Sequence, residues 1–355
     1  MREFTYTGQP GRVVFGAGTL ARLPAEVERL GLGRVLVVAT PEQRTDAERI
    51  AARIGSRAAA VFAGARMHTP VEVTEEAMAL VEAERIDGLV AVGGGSTTGL
   101  AKAIAFRTDL PQIVAPTTYA GSEMTPILGE TARGEKVTRS DPRILPEVVI
   151  YDVDLTLTLP PAMSVTSGVN AIAHAVEALY AENANPVVSM MAEQGIAAMA
   201  GALPVIARSP DDREARADAL FGAWLCGICL GSVGMALHHK ICHTLGGTYA
   251  MPHAETHTAV LPHALAYNAS HVPEAMAALR RALKTDDPAW ALFDLAKGLG
   301  AEMSLERLGL PVRAVDEVPD VVLAKPYWNP APLSREPLRR LVSNAFAGNM
   351  PGSDR

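Results

Sequence analysis

Cysteine is scarce: three in 355 residues, Cys226, Cys229 and Cys242, too few and too clustered for a disulfide framework. That scarcity fits a reducing compartment. The opening residues M-R-E-F-T-Y-T-G-Q-P-G-R hold no apolar core of signal-peptide length, so secretion by that route is not expected and the cytoplasm is the default. Lys and Arg never gather in a run long enough to track a phosphate backbone, and the formal net charge is −7. A nucleic-acid partner is therefore not expected. Internal repeats and low-complexity linkers are also missing, and Pro160-Pro161 is the one clear break in the chain. Charge is absent from Ala219 to Leu237, a mostly apolar stretch long enough to span a membrane. Its four glycines, its serine and the histidines beside it point instead to a buried central helix, so no membrane partner is expected.

What is present begins with size. With 48% hydrophobic residues the chain can bury a sizeable core, and its length favours two domains over one. Residues 1–157 alternate short β-rich runs (R-V-V-F-G, R-V-L-V-V-A-T, A-A-A-V-F-A, G-L-V-A-V-G-G-G-S, Q-I-V-A-P-T-T, E-V-V-I-Y-D) with amphipathic stretches. This is the rhythm of an α/β domain with a parallel sheet and crossover helices. In residues 158–355, Ala/Leu/Met-rich helical patterns take over, predicting an all-α second domain packed closely on the first, with the site between them.

Gly93-Gly94-Gly95-Ser96 follows the apolar strand 89–92 and opens a helical stretch over 97–106 that begins with Thr97. Glycines there let backbone N–H groups approach a pyrophosphate while the helix N-terminus supplies partial positive charge. After the next strand, Thr117, Thr118, Tyr119 and Ser122 in P-T-T-Y-A-G-S add hydroxyls for a nicotinamide ribose or amide. Gly16-Ala17-Gly18-Thr19-Leu20-Ala21 also fits the dinucleotide fingerprint, but no acidic residue ends a second strand at the usual distance, so it reads as a decoy. The strand 35–38 ends in Ala39-Thr40-Pro41, which leaves NADH and NADPH both open, with Thr40 at the cofactor and Arg44 as a candidate phosphate contact.

Asn170 and His174 in S-G-V-N-A-I-A-H, and His239 and His243 in L-H-H-K-I-C-H, are spaced to share one helix face, and His253 follows a Gly-rich turn. His238, His239, Lys240, His243 and His253 fall within sixteen positions, and no Asp or Glu occurs from Ala219 through Ala254. Such an acid-free site attracts carboxylates despite the overall negative charge. Asn170 stands where an anionic metal ligand would strengthen a metal site, so no metal is expected, although three imidazoles remain able to hold zinc. Cys226-Gly-Ile-Cys229 has redox-motif spacing without flanking charge and reads as packing. His68, His263 and His271 read as structural, and His257 is undecided.

The order G-G-G-S, P-T-T…G-S-E, N-x-x-x-H, H-x-x-x-H, P-H resembles the iron-containing alcohol dehydrogenase superfamily over nearly the whole chain. Within it, A-T-P-E-Q, M-H-T-P-V-E-V-T, G-G-G-S-T-T-G-L-A-K and M-P-H-A-E-T-H-T-A-V-L-P-H-A are most similar to the maleylacetate reductase family. The resemblance implies the dehydroquinate synthase-like architecture and a homodimer. It also implies reduction of the C=C bond of 2-maleylacetate, a small dicarboxylate, to 3-oxoadipate by NADH or NADPH in aromatic catabolism. His174, His239 and His253 fall on the superfamily's histidine ligand positions, His243 on its additional active-site histidine, and Lys136 in G-E-K on a lysine near the cofactor. Asn170 for Asp, Gly99 for Asp and a shorter P-T-T loop depart from the metal-dependent members and match the reductases. His239, Lys240 and His174 are expected to orient two carboxylates beside Asn170, with His243 or His253 as the proton donor. A metal-dependent alcohol dehydrogenase using the three histidines is the alternative, and a catalytically silent nucleotide-binding protein is a more distant one.

Overall fold

Six short runs of Val, Ile, Leu and Ala become the strands of one parallel sheet. The computed structural model describes residues 4–8, 11–132 and 135–352, with the side chains of Glu135 and Lys136 outside that description. The chain divides into two compact units, residues 11–159 and residues 160–352 together with 4–8.

In the first unit the strands are β1 (Arg12–Gly16), β2 (Val35–Val38), β3 (Ala58–Phe62), β4 (Gly88–Gly93), β5 (Gln112–Pro116) and, after a hairpin, β8 (Val148–Asp152). Their order is β1-β8-β5-β4-β2-β3. The register pairs Val35 with Gly88, Val90 with Ile113, Ile113 with Val148 and Val14 with Ile150. Because side chains alternate across a strand, Val35, Val37, Val90, Val92, Ile113 and Ile150 pack on one face with Leu23, Val27 and Ile50. Leu36, Val38, Leu89, Ala91 and Val114 pack on the other with Val73, Ala77, Leu100 and Ile104. Helices α1 (Leu23–Arg29) and α2 (Arg44–Ile54) thus cover one face, and α3 (Val71–Ala83) and α4 (Gly95–Thr108) the other. The hairpin of β6 (Ile127–Ala132) and β7 (Glu135–Ser140) is antiparallel and is not marked by any apolar run.

The second unit is helical: α5 (Pro161–Leu179), α6 (Pro186–Arg208), α7 (Arg213–Ser232), α8 (Leu237–Tyr249), α9 (His253–Asn268), α10 (Pro273–Leu283), α11 (Pro288–Gly298), α12 (Ala314–Ala324) and α13 (Arg335–Ala347). Pro161 starts α5 at the first helical position, where its missing N–H costs nothing. From Ser164 to Leu179 nearly every α5 residue is buried, so this helix is the unit's axis. At the α6–α7 crossing a Cβ on Gly222 would lie 3.0 Å from the Gly195 carbonyl oxygen, so the missing side chain sets the close approach.

One expectation fails here. The stretch from Ala219 to Leu237 is not a single central helix: α7 ends at Ser232, Val233 is extended, and α8 leaves at 92°. Among the described residues, α6 by itself is long and apolar enough to cross a membrane, and the bent pair α7–α8 qualifies only when taken together, a test that core helices also pass.

Candidate active site

In the α/β unit the sequence-marked cofactor residues collect at the C-terminal ends of three adjacent strands: Thr40 after β2, Gly93 to Thr97 after β4, and Thr117 and Thr118 after β5. Strand order reverses between β2 and β4, the place where open α/β sheets bind ligands. Helix α4 starts without a side-chain cap, so its first N–H groups are available to a pyrophosphate. A Cβ on Gly93 would sit 2.4 Å from Thr97 Oγ1 and 2.7 Å from Gln43 Oε1, while nothing approaches Gly95 within 4 Å. Gln43, in the A-T-P-E-Q segment, links Thr40 Oγ1 and Thr117 Oγ1 at 3.5 Å each and was not singled out from sequence. Tyr119 is fully buried. Ser122 is held by Lys102, whose Nζ donates to the Ser122 carbonyl, to Thr125 Oγ1 at 2.9 Å and to the Ile127 carbonyl at 3.0 Å. Burial lowers the Lys102 pKa to about 7. A Cβ on Gly99 would meet Thr69 Oγ1 at 2.4 Å, so Thr69 closes the space beside this glycine. The Lys136 side chain lies outside the described residues.

The decoy has a physical reason. The amides that a phosphate would use in the Gly16 turn are bound by Asp152, which accepts from Gly18 N at 2.9 Å and from Leu20 N at 2.8 Å.

In the helical unit α5, α8 and α9 bring the histidines together. Asn170, His174 and Glu177 share the inner face of α5 and are all buried. Ring centroids lie 5.2 Å apart for His174–His239, 5.9 Å for His239–His243 and 4.2 Å for His253–His257. Glu177 was not foreseen. Its carboxylate accepts from Ala236 N at 2.8 Å, His238 N at 2.7 Å and His239 Nδ1 at 2.7 Å, and so caps the start of α8 while orienting His239. With Nδ1–H committed, His239 presents an unpartnered buried Nε2. Asn170 Oδ1 and His174 Nδ1 are likewise buried without a partner.

Burial pushes the Glu177 carboxyl up, but the hydrogen bond from His239 and the nearby imidazoles outweigh that and hold it below its ordinary value. Burial, reinforced by neighbouring imidazoles, holds His174 and His257 well below the usual histidine range, and burial takes His238 down to about 3. These three are therefore neutral hydrogen-bonding groups near pH 7. Attraction for carboxylates then falls to lysine: Lys240 is lowered first by burial and then by the charge of Lys325, which places a second cation in its field. Lys240 Nζ sits 5.3 Å from the Tyr327 ring centroid, and the Tyr327 hydroxyl lies 3.0 Å from His243 Nδ1. His243 is half-buried and His253 exposed. Tyr327 and Lys325 carry no motif signal. Of the histidines read as structural, His263 is buried and lowered to about 4, and His271 contacts the Ser270 hydroxyl at 3.1 Å. Cys226 and Cys229 are buried, with burial raising Cys226 well above the usual thiol value and Cys229 to about 12, which suits packing rather than redox chemistry.

A parallel α/β sheet with a glycine turn at its switch point and a separate helical unit carrying clustered histidines are the arrangement of a dehydrogenase-type oxidoreductase. The model of the "Iron-containing alcohol dehydrogenase" family matches residues 10–153, and that of the "Fe-containing alcohol dehydrogenase family, C-terminal" matches residues 164–346. The chain belongs to the iron-containing alcohol dehydrogenase family. It is 54% identical to a maleylacetate reductase of Rhizobium sp. over 99% of this chain and 100% of the relative. A maleylacetate reductase of Sphingobium indicum is 53% identical over 98% and 99% of the two chains. The crystal structure of maleylacetate reductase from Agrobacterium tumefaciens superposes with a TM-score of 0.96 at 53% identity, covering 99% of this chain and 100% of that one.

The family name implies iron. Non-haem Fe(II) sites pair imidazoles with a carboxylate, whereas His174, His239 and His253 are joined by the neutral amide of Asn170. The family's donor positions, as they stand in this chain, do not fit that ion.

Proposed function

We propose that the chain reduces the C=C bond of 2-maleylacetate to 3-oxoadipate with NADH or NADPH, without a metal, in the breakdown of aromatic compounds. The observation that carries this reading is the uncharged pair on α5 at positions where the family resemblance puts metal ligands: the buried His174 imidazole, held neutral by burial, and the buried amide of Asn170. Reducing an isolated carbonyl creates an alkoxide, a strong base that gains from a Lewis acid. Hydride addition to an alkene conjugated with a ketone creates a delocalised enolate, for which hydrogen-bond donors suffice.

Hydride passes from the nicotinamide ring to the substrate carbon β to the ketone. The alkene electron pair moves onto the enolate oxygen, and a proton from His243 or His253 then completes the neighbouring carbon. The Tyr327 hydroxyl, kept protonated by burial, orients His243. Lys240 and Lys325 neutralise carboxylate charge, while His174, His239 and Asn170 set the substrate's position. In the α/β unit, Gly93 to Thr97 take the pyrophosphate, and Thr40, Thr117, Thr118 and Ser122 take the sugars and amide. The working form is a homodimer in the cytoplasm.

The test is NADH oxidation with fresh maleylacetate, before and after exhaustive chelation, with a simple aldehyde as control. Maleylacetate-dependent turnover that survives chelation is expected. Loss of turnover, or preference for the aldehyde, replaces this reading with the metal-dependent alcohol dehydrogenase. Unchanged turnover in His243→Ala and in His253→Ala removes the assigned proton donors.

A further inference from the structure

Three side chains that this reduction does not use meet in the helical unit. His238 and Cys242 lie one turn apart on α8, His257 faces them from α9, and one donor atom of each lies within 4.8 Å of the others. All three are buried, His238 at 0%, His257 at 1% and Cys242 at 3% exposure. His238 Nε2 lies 3.1 Å from the carbonyl oxygen of His257. A carbonyl only accepts, so the proton is on Nε2 and the lone pair on Nδ1. That Nδ1 has no partner, and neither does either ring nitrogen of His257. Buried polar atoms are nearly always hydrogen-bonded, and exceptions call for an occupant.

We propose that His238, Cys242 and His257 form a binding site for one thiophilic divalent cation of the zinc type, distinct from the positions of His174, His239 and His253. The set supplies what the other lacks, an anionic ligand. Binding exchanges the thiol proton for the metal, so one S–H bond breaks, one S–metal bond forms and the proton leaves to solvent. Two imidazoles and a thiolate with water in the fourth position form a tetrahedral site, with Zn–N about 2.0–2.1 Å and Zn–S about 2.3 Å. Those bond lengths bring neighbouring donors to about 3.5 Å, roughly 1 Å closer than the free side chains need to be, within reach of small side-chain rotations. Sulfur and imidazole select zinc, cadmium and cobalt over magnesium, calcium or manganese. An ion there also fixes His257 beside His253, 4.2 Å away between ring centroids.

The probe is Co2+, titrated into the chelator-treated full-length protein and then displaced by Zn2+. One equivalent per chain is expected, with a thiolate-to-cobalt charge-transfer band that zinc abolishes. Cys242→Ala removes the band and weakens zinc binding at least about tenfold, equivalent to ~1.4 kcal/mol. His257→Gln weakens it likewise with the thiol intact, whereas Cys226→Ala and Cys229→Ala keep the band. No cobalt or zinc bound at one equivalent overturns the proposal. So does binding that lacks the band and is lost in His174→Ala, which assigns the ion to the other histidines. Should Cys242→Ala fail to fold by circular dichroism, His257→Gln decides alone: undiminished affinity there refutes the site.

Discussion

Glu177→Gln is the substitution on which the catalytic geometry turns. The carboxylate accepts from Ala236 N, His238 N and His239 Nδ1 at 2.7–2.8 Å, with His239 N further off at 3.4 Å. Glutamine offers one acceptor oxygen, and its NH2 group must face one of these donors. A hydrogen bond to a charged group is worth about 1.5–3 kcal/mol, and a neutral one roughly half. Losing the charge on two retained bonds and orphaning one buried N–H, at about 1–3 kcal/mol, gives a total near 4 kcal/mol. For a chain of this size that lowers Tm by roughly 5 °C. Chemistry suffers as well. If the new NH2 donates to Nδ1, the imidazole proton moves to Nε2 and the lone pair offered to the site vanishes. Loss of such an orienting partner costs about 10–100-fold, read here in kcat for NADH oxidation with maleylacetate. Calorimetry and steady-state kinetics on the one variant test both. A Tm within about 1 °C of the parent together with kcat within about twofold would refute the assignment of Glu177 as cap and orienter.

Gly93→Ala puts a methyl 2.4 Å from Thr97 Oγ1 and 2.7 Å from Gln43 Oε1, so NADH affinity by fluorescence titration is expected to fall about tenfold or more, near 1.4 kcal/mol; parental affinity means the glycine turn does not hold the dinucleotide. Stability is expected to decline on the acid side of the ordinary histidine value of 6.5, because His174, His238 and His257 have folded pKa values below it. In that window the unfolded chain binds protons that the folded chain refuses, so stability is full above it and falls with pH by up to about 1.4 kcal/mol per unit per histidine. Chemical denaturation at a series of pH values checks this, and a flat profile between about pH 7 and 5 contradicts the buried neutral cluster. Asn170→Asp puts an anionic oxygen one helical turn from His174 on α5, and is expected to retain about one Fe2+ per chain through gel filtration. A variant that stays iron-free means these donors do not converge.

The sheet was legible because β2, β4, β5 and β8 are buried on both faces and read as continuous apolar runs. The β6–β7 hairpin escaped notice because its partly exposed, charged strands rest on pairing rather than on an apolar pattern. The bend after Ser232 was hidden for the opposite reason, since uniform apolarity continues through it and composition records burial but not direction. Spacing along α5 and α8 placed Asn170, His174, His239 and His243 correctly on their helices. Glu177 was invisible: in H-A-V-E-A-L-Y it looks like any helical glutamate, and its partners start 59 residues later in the chain. Lys325 and Tyr327 lie outside any helix, so no periodicity marks them.

Asp152 also bears on fidelity of cofactor binding. The Gly16 turn is a second anion receptor, and Asp152, fixed on the neighbouring β8, is a competitor that cannot diffuse away. A tethered group acts at an effective concentration in the millimolar range or above, so a free phosphate ester must outcompete it continuously to settle there. The look-alike turn is thereby kept permanently taken, while the same two hydrogen bonds tie the turn that follows the edge strand β1 to the end of β8.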